Sequence, residues 1–496
     1  MFKVGDKKLW IITNVLIYIF YLYIAVCIPY THDDWDWGLS VGLEQLKNAS
    51  LNSRYAGNFF AVIMTRSELI KNIIISVVAW GIPYTYSGII SKSYKEKTVS
   101  FLLCNVFVML MPVEMWAQTY GWVSGFANYV ISLLCIGIFI RMCNGSDEPI
   151  TGRLNARDIF FFVFVVISQL FLENISIYFF LVSIFICVVA IKKQTHKRRY
   201  AIILAANIIG LIIMFSSNIY GELFKTGETL THLAAGRKFS FDMDKGVFSV
   251  ARNVLDNFVT IRLVDVWRST KWLVLLVLIV TFLLIQKNKT KLEKKYKIAI
   301  IAELATLFVY LGMLFNLTVV NENRTTDIFF GLFYIWFIFF VLFIICSVTD
   351  KKVKYTCVFS WISAFLFVVP LSAILENGSR LYLASYMFII ITVIELIIYI
   401  FKDSSFEFKI KPAIVLGIVV FGLFVHRFYV YTDIYLNTCN SREQIQNAIK
   451  NNSDEVHLNY YNYEEYLWGE YPVDDERIDF YKKFYHIPEE MEIIYE

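Results

Sequence analysis

"LWIITNVLIYIFYLYIAVCIPYTHDDWDWG", Leu9–Gly38, decides the fold. From Leu9 to Pro29 the residues are almost wholly apolar, over about the twenty residues a helix needs to cross a ~30 Å hydrocarbon core. The run is long and lacks a small-residue cleavage site, so it reads as a retained first span rather than a removable leader. The chain then turns into His32, Asp33, Asp34, Trp35, Asp36 and Trp37. A loop tip in water needs polar residues, but not three carboxylates packed this tightly.

The rest of the chain repeats the apolar theme. Of 496 residues, 57% are hydrophobic, 17% aromatic and 18% charged, with a mean hydropathy of +0.57. Soluble domains carry about a quarter charged residues. A net charge of +4 is too small to suggest a nucleic-acid partner. Most of the eight cysteines stand in or beside apolar runs, none with metal-ligand spacing, and they read as small apolar fillers.

Apolar runs predict thirteen spans, near 9–29, 72–90, 99–115, 128–142, 158–172, 177–191, 200–216, 272–286, 298–315, 327–348, 355–374, 382–401 and 413–430. Basic residues check this weave. "SKSYKEKT", "KKQTHKRR", "KNKTKLEKKYK", "TDKKVK" and "KDSSFEFKIK" all fall on one side, together with the amino-terminal lysines. Cytoplasmic loops retain Lys and Arg. The amino terminus is therefore expected inside and the carboxyl terminus outside, in the cell membrane. The acidic turn, the loops 30–71 and 217–271 and the tail would then face outward. Glu114, Glu173 and Glu303 are read as interfacial anchors near span ends, with no acid or lysine isolated at mid-span. The inner loops are short and basic, and no GxxxxGK[ST] phosphate loop occurs. Chemistry outside the membrane needs a substrate already activated within it.

The first outer loop reads as an interfacial helix, with Tyr55, Phe59, Val62 and Ile63 on its apolar face and Arg54, Asn58 and Arg66 elsewhere. The second contains "GETLTHLAAGRKFSFD", with Glu228, His232, Arg237 and Lys238. It continues into a helix that Ser249 would cap, with Val250, Val254, Phe258 and Ile261 as its stripe and Arg252 and Arg262 toward water or headgroups. Trp122, Ser124 and Asn128 in "YGWVSGFANY", Arg324 in "NENR" and Arg380 in "NGSR" stand where spans emerge. Arginine suits phosphate, whose oxygens its planar fork binds in pairs. Of the adjacent carboxylates, one could meet an acceptor hydroxyl or a metal while the other holds the loop. Their mutual repulsion would raise one pKa. Trp35 and Trp37 suit either an interfacial belt or stacking on a sugar ring.

An acidic pair just past the first span, an interfacial first outer loop, many spans and an outer tail resemble the GT-C superfamily of membrane glycosyltransferases. The motifs "YTHDDWDWG", "NSRYAGN", "YGWVSGFANY", "GRKFSFD", "NENR" and "NGSR" are similar to those of a bacterial family related to O-antigen- and teichoic-acid-modifying glucosyltransferases. The resemblance implies transfer of a sugar from a polyprenyl-phosphate donor to a cell-surface glycan or lipid-linked acceptor, with inversion. It implies Asp33 or Asp34 as the catalytic carboxylate, and Arg54, Arg237, Arg324 and Arg380 as contacts for the donor phosphate. His32, Trp35, Asn58, Trp122, Asn128, Glu228 and His232 are the candidates for holding substrate. Some members need Mg2+ or Mn2+, which Asp33 or Asp34 would hold, and others need none.

The expected architecture is thus an all-α polytopic domain over residues 1–430 and a small outer α/β subdomain over 431–496. Its last part is read as a helix, a strand near Glu455–Tyr460 and further short elements. Two other functions fit the same pattern: a polymerase or ligase of lipid-linked glycans, kept open by His232 and Arg237, and a transporter or flippase of a lipid-linked sugar. A scaffold without activity would look much the same.

Overall fold

The computed structural model describes residues 4–48, 52–91, 93–144, 156–193, 197–226, 239–240, 245–292, 295–316, 324–376, 378–402 and 412–496. Among them, ten helices are long and apolar enough to cross a membrane, as a multi-pass membrane protein requires. The expected spans near 99–115, 158–172 and 200–216 correspond to helices Tyr94–Met109, Ala156–Gln169 and Lys197–Phe215. The first two have 16 and 14 residues. At ~1.5 Å per residue they fall short of a full hydrocarbon core.

The chain forms two compact units: residues 1–89, 93–221 and 413–496 in the first, and 90–92 and 222–412 in the second. The boundary expected at 430/431 falls inside one unbroken 39-residue helix, Pro412–Lys450.

In the first unit, helix α1 (Val4–Cys27) stops two residues before Pro29, whose ring disfavours helical backbone at Ile28. Ile17, Tyr21, Ile24 and Ile28 are buried along one face, and the Tyr21 hydroxyl donates to Asn105 Oδ1 at 3.0 Å. The opposite face, with Ile12, Leu16 and Ile19, is exposed, as a lipid-facing surface would be. Four further helices follow: α2 (Asp34–Gly38), α3 (Ser40–Asn48), α4 (Tyr55–Arg66) and α5 (Glu68–Ile90). On α4 the buried face runs through Gly57, Asn58, Ala61, Val62 and Thr65, while Phe59 is exposed. Asn58 therefore points inward, beside Val62.

The same unit contains the tail, where the expected strand is β1 (Glu455–Leu458). It pairs in parallel with β2 (Glu492–Tyr495), in the register Glu455 to Glu492 through Leu458 to Tyr495. The helix Asp475–Tyr485 makes the crossover, capped by the Asp474 carboxylate, which accepts from Arg477 N–H at 2.8 Å. Val456, Leu458, Leu467, Tyr481, Ile487 and Met491 form its small core.

The second unit corrects three sequence expectations. The long-loop helix begins at Val247 behind Gly246, whose φ of 79° suits glycine, so Ser249 lies inside it rather than capping it. Arg262 does not face water: it is 2% exposed and donates to the carbonyls of Leu371, Ile374 and Glu376. One guanidinium thus ties together three carbonyls of the segment 371–376, which follows helix Lys351–Leu366. Glu303 also departs from its expected place at a span end. It lies well inside helix Lys295–Asn316, 3% exposed, and accepts from Thr281 Oγ1 at 3.0 and 3.1 Å.

Candidate functional site

The acidic turn is built on a left-handed residue. His32 has φ 56°, and its N–H donates to the carbonyl of Gly469 at 2.8 Å. Gly469 has φ 60°, and a Cβ there would overlap the His32 ring. Histidine enters this region more readily than most side chains, but only glycine does so freely. The bend lets Asp34 N–H reach the carbonyl of Thr31 at 3.0 Å and starts α2.

This bend turns the two carboxylates apart. Asp34 is 0% exposed. Its Oδ1 accepts from Ser124 N–H at 2.8 Å and Ser124 Oγ at 2.6 Å, and its Oδ2 from Thr31 N–H at 3.0 Å and Val123 N–H at 3.3 Å. It ties the acidic turn to the Trp122–Ser124 segment. Burial, and then the charge of Asp33, push its carboxyl up to about 7, against the pull of the Ser124 and Thr31 donors.

Asp33 is the accessible member, with 34% of its side chain exposed. Trp122 Nε1–H donates to its Oδ1 at 2.9 Å and Trp37 Nε1–H to its Oδ2 at 3.3 Å. His32 Nδ1 stands 3.6 Å from Oδ1. Burial opposes the charge, but His32 and the two indole N–H groups hold the carboxyl below its ordinary value. Each oxygen accepts one indole and keeps lone-pair capacity for a ligand hydroxyl. Asp36, in the same turn, is pushed up to about 8 by burial and by the charges of Asp33 and Asp34. Near neutral pH, three neighbouring carboxyls thus carry their charge chiefly at the exposed one.

The described residues gather no ligand set for a divalent metal around Asp33 and Asp34. The partners of these oxygens are N–H or O–H donors or the His32 ring, and among the described residues no three His, Cys, Asp or Glu side chains gather to hold an ion.

Of the other predicted site residues, Trp122 meets Asp33 directly and His32 lies beside it. Trp35 is 1% exposed, gives its N–H to the carbonyl of Tyr30 at 3.2 Å and receives the edge of Tyr481, so it packs the inside of the turn. Asn58 donates to Asn52 Oδ1 at 3.0 Å and Asn128 to the carbonyl of Ser124 at 2.9 Å, both as buried supports. Arg54 binds Glu173 through Nε and Nη2, with Tyr220 donating to the same carboxylate at 2.6 Å. In the second unit Arg380 pairs with Glu376 at 3.4 Å. Arg237, Glu228 and His232 lie outside the described residues, as does the side chain of Arg324, which opens helix Arg324–Cys346.

Sequence reading missed three contributors. Arg66 donates to the carbonyls of Trp37, at 2.6 Å, and Leu39, fixing the end of α2. Trp468 and Gly469 come from the far end of the chain, where "LWGEYP" gives no periodic signal beyond the glycine. Compared with protein-family models, with curated proteins and with solved structures, the chain matches none.

Proposed function

We propose that the chain is an integral-membrane glycosyltransferase that moves a sugar from a polyprenyl-phosphate donor to a cell-surface glycan or lipid-linked acceptor on the external face. The observation that carries this reading is Asp33: an ionised, accessible carboxylate, oriented by two indole N–H groups, a few residues past the apolar helix α1. The order of motifs that resembles the GT-C superfamily supports it, and the one-sided distribution of lysine and arginine supports thirteen crossings with the amino terminus inside.

In this reading the acceptor hydroxyl donates to Asp33 and attacks the anomeric carbon. The bond from that carbon to the polyprenyl-phosphate oxygen breaks, its electron pair leaves with the phosphate, and the configuration inverts. Asp33 takes the hydroxyl proton as the new bond forms. Its lowered pKa makes it a weak base toward a free alcohol, so transfer completes late, when attack has made the hydroxyl acidic. Asp34 fixes the turn and does not meet substrate. Arginines on the outer loops are the candidates for holding the departing phosphate.

The test is transfer from a polyprenyl-phosphate hexose by purified protein, and restoration of surface glycan in a deletion strain. Asp33→Asn should lower both by at least a hundredfold at matched membrane insertion, the scale of general-base help. Full activity in Asp33→Asn refutes the mechanism. A second reading, a transporter of a lipid-linked sugar, draws on Glu303, a carboxyl buried inside an apolar helix. It requires Glu303→Gln to abolish glycan restoration while Asp33→Asn does not.

A further inference from the structure

Beside Asp33 the rings form a row. Trp468 stacks on His32 with centroids 6.2 Å apart and planes 28° from parallel, and His32 sets its ring against Trp122 at 5.3 Å and 63°. Trp122 in turn holds Asp33. Trp468 is half-buried, so part of it remains open. Neighbouring contacts anchor its segment. The Gly469 carbonyl takes the His32 N–H, and the space above Gly121 is filled by the Tyr466 carbonyl. Arg427 lies 4.4 Å from the Tyr466 ring centroid and 4.5 Å from that of Trp116.

We infer that Trp468 is the stacking wall of a pyranose subsite, contributed by the carboxyl-terminal segment at the end of the ring row that leads through His32 to the hydroxyl-accepting Asp33. A part-open indole in a ring row that ends on an oriented carboxylate matches a sugar ring, which offers apolar C–H groups on one face and hydroxyls at its edge. A cation would find the same rings, so the experiment sets a cationic probe beside the sugars. The inference rests on the proposed glycosyl transfer and specifies which part of the chain binds the sugar.

The experiment is titration of protein in nanodiscs, free of glycoside detergents, followed by intrinsic tryptophan fluorescence. The probes are methyl β-D-glucopyranoside, methyl β-D-galactopyranoside and methyl N-acetyl-β-D-glucosaminide, with tetramethylammonium as the cationic comparison. At least one pyranoside should give a saturable change in the wild type. Trp468→Ala should weaken it about five- to tenfold, the scale of one aromatic contact, and Trp468→Phe should keep most of the affinity. Asp33→Asn should still bind, because the wall remains, even though transfer is lost. The proposal is overturned if no pyranoside saturates, if Trp468→Ala binds like the wild type, or if tetramethylammonium binds more tightly than every pyranoside. If binding follows this pattern but Asp33→Asn still transfers sugar, the subsite stands and the catalytic reading falls.

Discussion

Replacing the two adjacent aspartates separately should produce opposite damage. In Asp34→Ala, three backbone N–H groups (Thr31, Val123 and Ser124) and one hydroxyl lose their acceptor inside the protein. A buried donor left unpaired costs about 1–3 kcal/mol, so the three amides together should cost about 3–5 kcal/mol, allowing for partial relaxation. Asp34→Asn keeps one oxygen, and the Ser124 hydroxyl can turn to accept from the new amide. One N–H is then left facing NH2, for about 1–3 kcal/mol. Asp33→Asn is different. Its 34% exposure lets water serve any indole that loses its acceptor, and removing its charge relieves Asp34 and Asp36, both of which it pushes upward. Its cost should stay within about 1 kcal/mol. Thermal unfolding of the purified variants in one lipid system checks the ranking. Asp34→Ala should melt well below Asp34→Asn, and Asp33→Asn beside the wild type while inactive in transfer. If Asp33→Asn melts as low as Asp34→Ala, or if Asp34→Ala melts with the wild type, the division of labour between the two carboxylates is wrong.

Asp36→Asn should flatten the dependence of stability on pH. The folded state holds the Asp36 proton up to about 8 while the unfolded chain releases it near the ordinary 3.8, so wild-type stability falls as pH rises through that window; melting temperatures at pH 5 and 8.5 measure the difference. Gly57→Ala places a Cβ on Asn128 Oδ1 and should displace Asn128 from the Ser124 carbonyl, lowering transfer at least tenfold while insertion persists; unchanged transfer would mean that Asn128 yields without moving Ser124. Glu303→Gln keeps an acceptor for Thr281 and should alter stability by less than about 1 kcal/mol and leave transfer intact, so a loss of function with normal folding would favour the transporter reading.

The spans were legible because lipid imposes one simple rule: every backbone polar group must be satisfied within the segment, so long apolar runs become helices. The turn after Pro29 was legible for the same reason, as the place where that rule ends. What the two aspartates do individually was not. Their separation depends on a left-handed His32, and that conformation depends on Gly469, more than four hundred residues away in sequence. Trp35 looked like a sugar-stacking ring by type, yet Tyr481 and the Tyr30 carbonyl occupy it. Arg262 looked like a headgroup contact by helical position, yet the carbonyls of a distant segment claim it. Side-chain type suggests a chemistry, but only the partner decides whether that chemistry is available.

The tail follows the same logic. By length it could pass for an appendage, since about 65 residues are near the lower limit for an independent core. Its contacts argue otherwise. Helix Pro412–Lys450 carries the chain from the apolar bundle to β1 without a break. Phe484 packs against Tyr30 at 5.4 Å and Tyr481 against Trp35 at 5.0 Å, so the crossover helix covers the inner side of the acidic turn. A non-glycine residue in the left-handed region costs of order 1 kcal/mol or more and persists only where its surroundings hold it. For His32, that surrounding is the Gly469 carbonyl and the Trp468 ring. Without them the turn has no reason to keep Asp33 under Trp122 and Asp34 on Ser124. The tail is therefore part of what makes two adjacent carboxylates different from each other, and the site is complete only when both ends of the chain have met.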